Sequence, residues 1–62
     1  MFRIREFTHK VAQVTPKDAD RYAQIAVIQK QLVNEGFNLL ATDRETIDSV
    51  LDILYEEYSF SA

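Results

Sequence analysis

Between Thr15 and Gly36 the chain reads TPKDADRYAQIAVIQKQLVNEG, and apolar side chains recur there at helical spacing: Ala19, Tyr22, Ala23, Ile25, Ala26, Ile28, Leu32 and Val33. Thr15 followed by Pro16 is a helix start signal. The hydroxyl can accept from an unpaired first-turn amide, and a proline at the first helical position has no N–H to lose. Asp18 and Asp20 put negative charge where first-turn dipoles favour it. Gly36, the only glycine in the chain, is a natural left-handed stop. The pattern predicts a helix over about 16–35. Its apolar positions cover well over half the circumference, with Asp20, Gln24, Gln31, Asn34 and Glu35 sharing the remaining arc with Val27. A surface helix normally shows a narrower stripe. This one is therefore expected to be covered on two sides, by its own chain and by a partner.

Residues 2–14, FRIREFTHKVAQV, carry two periods at once. Ile4, Phe7, Val11 and Val14 follow a helical 3-4-3 spacing, whereas Phe2 and Ile4 alternate with Arg3 and Arg5 among β-favouring residues. If Thr15 caps the next helix, a helix ending at Val14 leaves no room for a reversal, since two helices need a connection of about 2–8 residues. On that ground the segment is expected to be extended, as a strand over about 2–7 and a second piece over about 10–14. Phe37, Leu39 and Ala41 alternate and predict a short strand over about 37–41. Thr42 with Glu45 fits a capping box, and Ile47, Val50, Leu51, Leu54, Tyr55 and Tyr58 share one face of a helix over about 43–58. The fold expected is α+β in one domain, 1–62: a small sheet from segments 2–14 and 37–41 packed on two helices. A three-helix bundle is the alternative. A small sheet leaves edge strands that template pairing with another chain, so self-association or docking is expected from it too.

At 62 residues, a core stabilises the fold by roughly 3–5 kcal/mol unless something else contributes. There is no cysteine, which removes disulfides, thiolate metal sites and thiol nucleophiles, and fits a reducing compartment. No apolar run approaches the roughly 18–20 residues of a membrane span, and no signal-peptide pattern opens the chain. A soluble, cytoplasmic protein is expected. The net charge of −3 is unevenly spread: Arg3, Arg5, Lys10, Lys17 and Arg21 against Glu6, Asp18 and Asp20 leave residues 1–21 at +2. Residues 42–62 set Arg44 against Asp43, Glu45, Asp48, Asp52, Glu56 and Glu57, for −5. An acidic whole argues against general nucleic-acid binding, which needs a cationic footprint.

Catalytic chemistry finds little to work with. His9 is the only histidine, and no glycine-rich loop accompanies it to cradle phosphate or present a nucleophile. Ser49, Ser59 and Ser61 have no base nearby in sequence, and Asp43, Glu45, Asp48 and Asp52 lack the ligand alternation of a calcium loop. No catalytic residue, metal site or cofactor is expected. What remains is a surface. Glu45, Asp48, Asp52 and Glu56 follow a 3-4-4 spacing opposite the apolar face of the last helix, a row about 16 Å long at 1.5 Å per residue. Such a row either solvates the helix or docks on a basic surface of another protein. Tyr58 and Phe60 are candidate aromatic anchors, because aromatic residues dominate binding hot spots. The expected function is a small acidic non-enzymatic interaction module (regulator, adaptor or inhibitor) that binds another protein and associates with itself. The alternative is a nucleic-acid-binding regulator using the basic N-terminal segment.

Overall fold

A computed structural model describes residues 2–37 and 44–61, and there the chain forms three mutually packed helices. These are α1 (Ile4–Val14), α2 (Arg21–Asn34) and α3 (Arg44–Tyr58). No strand occurs among the described residues, so the expected α+β fold is overturned in favour of its alternative. The segment expected to be extended, with a strand over 2–7 and a second piece over 10–14, instead forms the helix α1 over Ile4–Val14. Its helical period prevails because Ile4, Phe7 and Val11 turn together toward the other two helices. Thr8, fully buried between them, donates its hydroxyl to the Ile4 carbonyl at 2.7 Å and leaves no orphaned group. Val14, the last member of the predicted face, points outward.

The mistaken premise was Thr15. Its hydroxyl does not open the next helix but donates back to the Val11 carbonyl at 2.6 Å, at the end of α1. Residues 15–20 then supply the reversal that seemed to be missing, with the Ala19 amide donating to the Pro16 carbonyl at 3.0 Å. α2 starts five residues later than predicted, where Asp20 adopts extended backbone and its carboxylate accepts from the Ala23 amide at 2.8 Å.

The far end of α2 follows the glycine signal. Gly36 takes φ +97°, its amide donates to the Val33 carbonyl, and the Phe37 amide donates to Leu32, both at 3.0 Å. That double closure is a Schellman stop, and its left-handed residue is glycine because a Cβ would be strained there. The Phe37 ring meets Phe2 edge-on at 5.3 Å, and Phe2 in turn packs on Phe7 at 5.4 Å. Phe37 thus ends a helix; the rest of the expected strand 37–41 and the Thr42 cap lie outside the described residues. α3 runs as predicted to Tyr58.

The core joins Phe7 and Val11 of α1, Ile28 and Leu32 of α2, Val50, Leu51 and Leu54 of α3, and Phe60 from beyond the last helix. Ser59 adopts left-handed backbone (φ 62°) and the Phe60 amide donates to the Leu54 carbonyl at 3.0 Å. The chain therefore folds back on itself and carries Phe60 inward until 2% of it is exposed. Lys17 holds this turn from the α1–α2 connection, donating to the Tyr58 carbonyl at 2.7 Å with its ammonium 4.7 Å from the Phe60 ring centroid.

Removing the ring from Phe60 is expected to cost about 3–5 kcal/mol, comparable with all the stability a domain of this size has. Phe60→Ala should therefore be largely unfolded in buffer, whereas Asp20→Ala, losing one cap worth about 1 kcal/mol, should stay folded with a lower urea midpoint. Circular dichroism against urea reads both; equal midpoints for the two variants would show that the tail is not part of the core.

Candidate interaction surfaces

α3 is held by its inward face, Val50, Leu51 and Leu54, and this sets the direction of the opposite side. Glu45, Asp48, Asp52 and Glu56 all lie exposed on that outward side, as the 3-4-4 spacing predicts. The basic residues of the N-terminal third behave differently. Arg3 pairs with Glu6 at 3.4 Å, Lys10 with Glu35 at 3.4 Å, and Arg5 with Glu57 of α3. Lys17 is occupied by the Tyr58 carbonyl. Each exposed pair contributes little to stability, about 0–1 kcal/mol, but together they decide where uncompensated charge remains. None of the ion pairs among the described residues involves Asp48, Asp52 or Glu56.

The aromatic prediction divides. Tyr58 is half-buried, its hydroxyl 3.3 Å from His9 Nδ1, while Gln13 Nε2 approaches His9 Nε2 at 3.0 Å. The lone histidine thus belongs to a polar chain across α1 and α3, with no serine or carboxylate bonded to it among the described residues. Phe60 is a core residue, not an exposed anchor, because the left-handed turn at Ser59 directs it inward. The most exposed aromatic side chains are Tyr22, at 86%, and Tyr55, at 57%, with Phe2 and Phe37 exposed to a lesser degree. The helical period assigns both tyrosines to apolar faces. Tyr22 sits on the side of α2 away from Ile28 and Leu32, and Tyr55 at the margin of the α3 face.

α2 itself turns Gln24, Ile28 and Leu32 inward and leaves Tyr22, Ala23, Ala26 and Val33 exposed. Gln24 is the residue that sequence reasoning placed on the wrong side. Its amide nitrogen donates to the Ala19 carbonyl at 2.9 Å and the Ser61 carbonyl at 3.0 Å, so a polar side chain is buried with its donors used. Burying Gln24 ties the start of α2 to the tail.

Between α2 and α3 opens a cleft of about 320 Å³ lined by Arg21, Gln24, Leu51, Asp52, Tyr55 and Ser61. It brings one member of the acidic row, Asp52, next to the exposed Tyr55 and an apolar floor at Leu51. Arg21 supplies a charge of the opposite sign. The lining holds contact groups of both signs and one aromatic ring, with no nucleophile–base pair. Among the described residues no group of three or more His, Asp or Glu side chains is placed to hold a metal, and no helix is long and apolar enough to cross a membrane. Comparison with protein-family models, with curated proteins and with solved structures returned no match.

Gln24→Leu keeps the volume of the side chain but removes the donor serving two carbonyls. It is expected to destabilise the protein by about 1–3 kcal/mol and to speed hydrogen exchange at the Phe60 amide more than at mid-helix amides of α1. Uniform acceleration across both sites would mean that Gln24 does not specifically hold the tail.

Proposed function

We propose that this chain is a small acidic, non-enzymatic interaction module, acting in the cytoplasm as a regulator, adaptor or inhibitor by binding another protein. The observation that carries the reading is the outward acidic row of α3: among the described residues Asp48, Asp52 and Glu56 take part in none of the ion pairs, although the chain holds cations that pair elsewhere. The row adjoins a cleft with Leu51 and Tyr55 in its lining. An acidic strip beside an apolar hollow fits a partner whose basic surface flanks an exposed apolar side chain. Charge of this kind raises encounter rate and selects partners, while the apolar contact slows dissociation. The nucleic-acid alternative is less well supported, since Arg3, Arg5 and Lys10 are engaged by carboxylates of the same chain.

The combined variant Asp48→Asn, Asp52→Asn, Glu56→Gln is expected to keep its helicity, because it removes only like-charge neighbours. Binding to the partner found by affinity capture and mass spectrometry should weaken at least tenfold, about 1.4 kcal/mol, and the wild-type interaction should itself weaken as salt is raised. Unchanged affinity in the variant would reduce the acidic face to a solvating surface.

A further inference from the structure

We propose that the outward face of α2 is a self-pairing surface, on which two copies of this chain meet as an antiparallel, two-fold symmetric helix pair. On that face Tyr22, Ala26, Gln29 and Val33 fall in one strip, all exposed. Their spacing is 4-3-4, which reads the same in both directions. A two-fold interface requires a patch complementary to its own reversed copy, so that when residue i meets j, j also meets i. A two-fold axis midway between Ala26 and Gln29 places Tyr22 of each copy against Val33 of the other, and Ala26 against Gln29. Large thus meets medium at the ends of the strip, and the small Ala26, flanked by Ala23, lets the axes approach to about 8–10 Å.

Charge selects the same occupant. The chain carries a net −3, and two copies brought together through α3 would oppose their acidic rows. The α2 strip and its flank of Ala23 and Lys30 contain no carboxylate, and Lys30 is their only charged group. An acidic molecule can therefore meet itself here without bringing carboxylates face to face. The antiparallel arrangement also sets the helix dipoles head to tail. The contact is small. α2 has 14 residues, about 21 Å of helix at 1.5 Å per residue, less than is needed to reach the roughly 800 Å² per partner of a standard stable interface. The dimer is accordingly weak and dissociates on dilution. It leaves the acidic row of α3 free for another protein and does not depend on that reading.

Sedimentation equilibrium should show an apparent mass near 7.2 kDa at micromolar concentration, rising toward twice that value in the millimolar range. Ala26→Glu should remain at the monomer mass throughout with an unchanged circular dichroism spectrum, whereas the triple α3 variant should dimerise at least as well as wild type. Because the chain has no cysteine, orientation can be read by cross-linking. Tyr22→Cys and Val33→Cys mixed under a glutathione redox buffer should form a mixed disulfide, and neither alone should cross-link. In the proposed register identical positions lie 11 residues apart, about 16.5 Å along the axis, beyond the roughly 7 Å between Cα atoms that a disulfide spans. A monomer at millimolar concentration, a dimer that survives Ala26→Glu, or Tyr22→Cys cross-linking to itself would each overturn the proposal.

Discussion

The burial of Phe60 is the constraint on which the rest of the molecule depends. Three helices of 11, 14 and 15 residues enclose only a small core, because a short chain exposes a large share of its surface. Of the eight residues in the buried cluster, one comes from a tail with no secondary structure. It is retained by fasteners from three places in the chain: the left-handed backbone at Ser59, Lys17 in the α1–α2 connection and Gln24 on α2. The first is a local turn, whereas Lys17 and Gln24 make polar contacts between segments far apart in sequence, donating to the carbonyls of Tyr58 and Ser61.

That closure decides what is left outside. Gln24, Ile28 and Leu32 define the inward side of α2, so Tyr22, Ala26 and Val33 are turned away from it by helical geometry alone. Likewise the burial of Val50, Leu51 and Leu54 obliges Asp48, Asp52 and Glu56 to face solvent. The two outward surfaces differ in chemistry. The α2 surface sets Tyr22, Ala26 and Val33 beside Gln29 and Lys30, carries no carboxylate, and suits a second copy. The α3 surface is acidic, and suits a basic partner. They approach each other at the cleft, where Arg21 and Asp52 line opposite helices.

The candidate site was largely legible where it depended on a single helix. The acidic row follows from the 3.6-residue period, and so does the apolar excess of α2. Phe60 was misplaced because nothing in Ser59-Phe60-Ser61 states which way the chain turns after α3; a left-handed serine is uncommon and carries no sequence signal of its own. Thr15 was misread for another reason. A threonine before proline can accept from a following amide or donate to the carbonyl four residues back, and both uses satisfy the same hydroxyl. Asp20 offered an equally good cap five residues later, and choosing it opens the room that α1 needed in order to be a helix.

By itself the sequence determined those features whose physical cause lies within a turn or two of chain: α3 and its charged face, the glycine stop of α2, and the surplus of apolar side chains on that helix. Periodicity, capping and left-handed stops are local, so they can be read from neighbours. Only the tertiary structure decided that residues 4–14 are helical, that Gln24 is buried and that Phe60 completes the core. Those outcomes rest on contacts such as Lys17 with Tyr58 and Gln24 with Ser61, 41 and 37 residues apart. Their free energy arises only when distant segments are brought together, and no local pattern records it.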